Sequence, residues 1–161
     1  MKKAIFPGSF DPITHGHLDL IRRALAVFDN LIILIAQSPH KSNLFSVKER
    51  KSMILETCRD FPQITVDSTN GLLMDYASEH KAQAIIRGLR ATSDFEYEFQ
   101  MASMNKKLNP HVETFFIMTG EKYFYISSRA IKEVMSLGGD VSSFVPTIVN
   151  SALKKKYKKS K

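Results

Sequence analysis

The chain has 161 residues, a single cysteine and a net charge of +7. That length can bury a sizeable core without a metal or disulfide staple, and one cysteine excludes a disulfide framework and fits a reducing compartment. Six lysines and no acid fall in the closing KKKYKKSK, which leaves +1 for the rest and excludes a strongly basic body.

The Lys-rich tail, at about 154–161, reads as a solvated end, so neither nucleic acid nor membrane is expected as a partner. The N-terminus has no leader-like pattern and no apolar run approaches spanning length, so the expected location is cytoplasmic.

In chain order, KAIFPG predicts a first strand, and Leu18, Ile21, Leu25 and Phe28 then recur at spacings of three, four and three, one face of a helix. NLIILIAQS lacks any polar alternation, as a strand covered on both faces requires. Ser46 followed by Glu49 forms a capping box that opens a second helix to about Arg59. ITVDS is a third strand, LLMDYASEH a third helix and AQAIIRG a fourth strand. A long helix from about Ser93 to Leu108 precedes ETFFIMT, the fifth strand, and SSRAIKEVMSLGG is a helix closed by Gly-Gly. Pro146 starts a last helix striped by Ile148, Val149, Ala152, Leu153 and Tyr157.

Strict strand and helix alternation predicts an α/β fold. It is a Rossmann-like doubly wound domain over 1–161, with a five-stranded parallel sheet and helices on both faces. Ligands in such folds sit at the carboxyl ends of the strands, so the loops after strands are where chemistry belongs. The long fourth helix is unusual. Phe95, Phe99 and Ala102 form one apolar stripe, and Tyr97, Met101, Met104 and Leu108 form another about half a turn away. The second stripe is either a deep core contact or, as favoured here, a subunit interface.

Neither G-x-x-x-x-G-K-[ST] nor a G-x-G-x-x-G after the first strand is present, which argues against a Walker-type ATPase and an ordinary dinucleotide dehydrogenase. PGSFDP is still a glycine-containing turn between strand and helix, where backbone N–H groups and the helix dipole make an anion site, with Ser9 adding a hydroxyl. His15 and His17 are not a metal pair: their spacing points them to different faces and no third ligand completes a set. His17 is instead a polar first-turn residue or a donor to a phosphoryl oxygen, and only company can decide. Lys41 follows the second strand, Arg87 and Arg90 the fourth, and Ser127 and Ser128 open the helix after the fifth. Cations, hydroxyls and helix N-termini thus gather at one sheet edge, as a polyphosphate substrate needs. No nucleophile is apparent. Asp11 and Asp94 form no evident pair, and Cys58 reads as filler, which fits phosphoryl or nucleotidyl transfer by positioning and charge stabilisation.

THGH at 14–17 matches the T-x-G-H signature of the nucleotidyltransferase superfamily, and ISSRAIK at 126–132 resembles its second signature, I-S-S-T-x-x-R. With FPGSFDPITHGH, SPHK, IRGLRATSDFEYE and YFYISSRAIKEV in this order, the chain resembles the bacterial phosphopantetheine adenylyltransferases over nearly its whole length. The resemblance implies transfer of AMP from ATP, with magnesium, to 4′-phosphopantetheine, giving dephospho-coenzyme A and pyrophosphate without a covalent enzyme intermediate. It implies a homohexamer and supplies no protein ligand for a metal.

By the same resemblance, His17, Lys41 and Arg90 are catalytic, with His17 stabilising the transition state at the α-phosphate. Ser9 and Phe10 line a shared phosphate site, Lys41 and Arg87 hold phosphopantetheine, and Leu73 lies along its arm. Gly88, Leu89, Arg90, Glu98, Tyr123, Phe124, Tyr125, Ile126, Ser127, Ser128 and Arg129 join His17 around ATP. Arg129 stands where the superfamily signature has Thr, and Lys132 where it has Arg, keeping the charge. Gly16 is expected to let the helix begin close to the nucleotide. The alternatives are a related nucleotidyltransferase with another acceptor, against which IRGLRATSDFEYE speaks, and a non-catalytic nucleotide-binding module, against which His17, Lys41 and Arg90 speak.

Overall fold

A computed structural model describes residues 1–37, 42–90 and 92–158, with the side chains of 92–94 left aside. Lys41, expected at the site, and the last three residues of the Lys-rich tail lie outside the described residues.

Five strands alternate with helices: β1 (Lys3–Gly8), α1 (His15–Leu25), β2 (Asn30–Ala36), α2 (Val47–Thr57), β3 (Ile64–Thr69), α3 (Leu73–Glu79), β4 (Ala84–Leu89), α4 (Thr92–Leu108), β5 (Glu113–Met118), α5 (Ser128–Ser136) and α6 (Thr147–Lys158). The sheet order is β3-β2-β1-β4-β5, with every pair parallel. The chain runs outward from β1 to β3, returns to lay β4 on the other side of β1, and continues to β5. A reversal of winding therefore falls between β1 and β4, where the loops leave in opposite directions and open a crevice.

The uniform apolarity of β2 has the cause the sequence suggested. Ile33 and Ile35 belong to the core under α1, α2, α5 and α6, while Ile32 and Leu34 belong to a smaller core on the opposite face with Met74, Tyr76 and Ala77 of α3. Two helix signals also hold in detail. Ser46 and Glu49 form the expected reciprocal capping box on α2, and Gly138 stops α5 at φ +83°, a conformation that favours glycine. In α6, Val149 and Leu153 are buried and Ile148, Ala152 and Tyr157 pack against the core. No helix among the described residues is long and apolar enough to cross a membrane.

α4 contributes no apolar side chain to either core among its described residues. Its buried side chain is Asn105, whereas Phe95, Tyr97, Phe99, Met101, Met104 and Leu108 are all exposed, between 39 and 62%. The core alternative for its second stripe is thereby set aside. The neighbouring edge strand β5 also leaves Phe115 and Met118 in the open.

Candidate functional site

The loop from β1 to α1 is built from polar and aromatic residues that are nonetheless buried. Phe10 takes a left-handed backbone, φ +46°, and its ring packs edge-on against Phe6 and, at 5.1 Å between centroids, against His17. A non-glycine residue holds such a φ only where its surroundings compensate. Here burial of the ring, 2% exposed, supplies the compensation. The peptide between Asp11 and Pro12 is cis.

Thr14 caps α1, and the third helical residue completing the capping box is His17 in place of the usual Glu or Gln. The His17 N–H donates to Thr14 Oγ1 at 3.4 Å, and the Thr14 backbone N–H donates to His17 Nδ1 at 3.0 Å. A backbone amide can only donate, so Nδ1 is the acceptor and the imidazole proton is assigned to Nε2. Burial, and then the nearby positive charge of Arg90, lower the pKa of His17 from 6.5 to about 4. At neutral pH this side chain is a neutral N–H donor of fixed tautomer.

His17 lines a cleft of about 420 Å³ at the crevice between β1 and β4. Ser9, Phe10, Gly88, Arg90, Glu98, Ile126, Ser127, Ser128 and Arg129 border it, so four segments far apart in sequence meet there as expected. A second cleft of about 320 Å³ shares Pro7, Gly8, Ser9, Arg87 and Glu98 with the first and extends past Leu34, Leu73, Tyr97 and Met101. The shared wall is organised by Arg87. Its Nε donates to Glu98 Oε2 at 2.6 Å, its Nη2 donates to Glu98 Oε1, and its Nη1 donates to the Pro7 carbonyl at 3.1 Å.

Several expected residues stand elsewhere. Leu89 is buried and borders neither cleft, its side chain being at the end of β4 within the fold. Tyr123 packs against the core, while Phe124 and Tyr125 are exposed and meet each other edge to face; none of the three borders either cleft. Glu98, expected with ATP, borders both clefts and engages Arg87. The Ser128 hydroxyl donates to the Pro12 carbonyl at 2.7 Å, so it staples α5 to the β1 loop. Gly16 lies in the first turn of α1 and borders the first cleft; within the protein a Cβ there would meet only ordinary contacts, 3.5 Å from Thr14 Oγ1 and 3.6 Å from Tyr123 Cβ. The tightest glycine of the site is Gly88, where a Cβ would come within 2.3 Å of Leu20 Cδ1 and the end of that buried side chain would have to shift.

Beneath the clefts lies a group that local patterns do not reveal. Asp11, 2% exposed, accepts from the backbone N–H groups of Leu44 and Phe45, both at 2.9 Å, and from Lys132 Nζ at 2.7 Å. Arg50, equally buried, donates from Nη1 to the Ser9 carbonyl at 2.7 Å. The partners are 33 to 121 residues apart in sequence, so no window could have paired them. The Thr14–His17 box is absent from the sequence reading, because its third helical residue is His where the pattern asks for Glu or Gln; the available signal is a Thr three residues before a polar side chain at a helix start. Cys58 is buried, which pushes its thiol up to about 11 and removes it from chemistry at neutral pH. Among the described residues no three His, Cys, Asp or Glu side chains gather as a metal cage.

A cytidylyltransferase-like family model matches residues 5–134. The phosphopantetheine adenylyltransferase of Caldanaerobacter subterraneus subsp. tengcongensis is 53% identical over 160 residues, 99% of this chain and 100% of the relative. That of Syntrophus aciditrophicus is 54% identical, covering 98% of this chain and 96% of its own. Among solved structures, a Vibrio parahaemolyticus protein assigned as a nicotinate-nucleotide adenylyltransferase superposes with a TM-score of 0.68 at 20% identity, over 95% of this chain and 99% of the other. A lipopolysaccharide core biosynthesis protein from Thermoplasma volcanium gives 0.58 at 21% identity, over 75% and 99%. At those identities the two structures share the fold.

Proposed function

From the membership of this chain in the cytidylyltransferase-like family and, within it, among the phosphopantetheine adenylyltransferases, we propose that it transfers AMP from ATP to 4′-phosphopantetheine. The products are dephospho-coenzyme A and pyrophosphate, and the enzyme acts as a single nucleotidyltransferase domain in the cytoplasm. The observation that carries the mechanism is that two clefts meet at one wall, Ser9 and the Arg87–Glu98 pair, with His17 on the donor side of that wall.

ATP occupies the cleft with His17, and the 4′-phosphate of the acceptor enters from the cleft with Leu73. An oxygen of that phosphate attacks the α-phosphorus, a new P–O bond forms, and the bond to the bridging oxygen breaks, with the electron pair leaving on pyrophosphate. The attacking oxygen is already anionic, so no general base is needed. His17 Nε2–H donates to a non-bridging α-oxygen as charge builds there, and because its tautomer is preset by Thr14 no proton has to be rearranged during the step. Arg90, with the N-terminal turn of α5 at Ser127–Arg129, faces the phosphate chain, where a helix N-terminus and a guanidinium both favour anions. Arg87 is the fork for the acceptor phosphate, and Lys41 joins it from the loop after β2. Magnesium arrives on the triphosphate as part of the substrate; among the described residues the donor cleft is lined by one carboxylate, Glu98, which already serves Arg87.

The exposed apolar side chains of α4 support a homohexamer in which this helix is covered by neighbouring copies. The test of the reaction is direct. The protein mixed with ATP, magnesium and 4′-phosphopantetheine should release pyrophosphate and form dephospho-coenzyme A, while nicotinamide mononucleotide or glycerol 3-phosphate as acceptor should give none. Equal turnover with either of those acceptors would overturn the reading.

A further inference from the structure

We propose that the constellation of buried Arg50 and Asp11 with partly buried Lys132 is a positioning unit for both substrates, one that sets the β1 loop and the start of α5 at a fixed separation. The inference rests on the two-cleft reading above and concerns residues that touch neither cleft. Arg50 reaches from α2 to hold the Ser9 carbonyl, and Ser9 borders both clefts. The next residue, Phe10, carries the left-handed backbone that turns the loop into the donor cleft, so the bond on Ser9 fixes the backbone where its geometry is least forgiving. Asp11 follows at once. One carboxylate oxygen takes the Phe45 N–H, and the other takes the Leu44 N–H together with the Lys132 ammonium. Lys132 lies one turn into α5, whose first residues Ser128 and Arg129 border the donor cleft.

Burying the Arg50 guanidinium, whose Nε has no hydrogen-bond partner, and the Asp11 carboxylate, paired with the partly exposed Lys132, is costly, so an apolar cluster would hold the fold at least as well. What ion pairs and directed hydrogen bonds add is a single geometry. The Tyr157 hydroxyl reinforces it by donating to the Lys132 carbonyl at 3.0 Å. Asp11 is thus the hinge pin of three segments: the loop after β1, the approach to α2, and α5.

The arrangement separates the effects of two substitutions. Arg50→Met frees Ser9, which borders both clefts, so in fully folded enzyme kcat/KM should fall about tenfold or more for ATP and for phosphopantetheine alike. Lys132→Met releases α5 alone, so KM for ATP should rise about tenfold while KM for phosphopantetheine stays within about twofold. Lys132→Arg should restore near-normal values, because a guanidinium also reaches the carboxylate. Each variant is assayed at a temperature well below its own unfolding midpoint, and ATP affinity is measured in parallel by calorimetry. If the residues only stabilise the fold, midpoints will drop and both KM values and kcat will match wild type, which overturns the proposal. Should Arg50→Met fail to fold, the ATP-only effect of Lys132→Met and its rescue by arginine decide the matter. A wild-type protein that binds ATP but makes no dephospho-coenzyme A would refute the proposed reaction, and the calorimetric split would still test the positioning unit.

Discussion

The β1–α1 loop and helix α4 invert the usual relation between polarity and burial. The loop contains Asp11 and Thr14 and leads into His17 of α1, yet Asp11 and Thr14 are almost fully buried; α4 contains Phe95, Tyr97, Phe99, Met101 and Met104, yet leaves them open. The loop can be buried because each of these polar groups has a named partner: Leu44, Phe45 and Lys132 for Asp11, and Thr14 and His17 for each other. α4 carries apolar residues that the described residues of this chain leave uncovered. One region is completed within the chain and the other is not; the proposed hexamer would supply the missing surface.

The largest expected effect falls in the completed region. His17→Ala removes the sole donor that the Thr14 cap orients, and turnover should drop about a hundredfold or more while ATP still binds, as for loss of one oxyanion donor. Near-normal kcat would show that the cap is merely structural. Next come the two arginines beside it. Arg87→Lys cannot reproduce the fork on Glu98 or on a phosphate, and should raise KM for phosphopantetheine about tenfold with ATP spared. Arg90→Lys should chiefly harm ATP use or turnover, so separate titration of each substrate distinguishes the two. If both variants weaken ATP and spare the acceptor, the assignment of the clefts is reversed.

The comparison is broken most simply from the α4 side. Met104 and Leu108 are exposed and border neither substrate cleft, so Met104→Asp with Leu108→Asp should shift a sedimenting hexamer toward smaller species. Each side chain covered at an interface contributes about 1 to 2 kcal/mol, enough for the pair to matter. A wild-type chain that sediments as a monomer at micromolar concentration would show that α4 tolerates its exposure. The smallest effect is a near-absence of change. With the His17 pKa held at about 4, turnover should show no His17-dependent fall as pH drops from 8 to about 5.5. Its contribution to stability has a defined window as well. The unfolded histidine binds its proton near 6.5 and the folded one near 4, so this contribution is complete above 6.5 and is lost as pH falls from there through 4. A ring-proton titration of His17 by NMR with a midpoint near 6.5 would contradict both statements.

Much of this molecule is legible in the order of its residues. The three-and-four spacing of the first helix, the Ser46–Glu49 box, the Gly-Gly stop and the unbroken apolarity of β2 are local consequences of backbone geometry and burial, and each appears where the sequence places it. The grouping of His17, Arg90 and Ser127 at one edge follows from parallel strands, since each loop after a strand must then emerge on the same side, whereas Arg87, expected after the fourth strand, lies within β4 in register with Phe116 and reaches the site from near the strand's end. Only the tertiary structure decides which of these groups are already engaged. Arg87 forks onto Glu98, the Ser128 hydroxyl holds Pro12, Phe124 and Tyr125 stand outside the clefts, and Lys132 joins Asp11 across 121 residues. Secondary structure is set by neighbours along the chain and can be read there. The pairing of buried charges is set by which distant segments the sheet brings within about 3 Å of each other, a distance at which one intervening residue changes the partner.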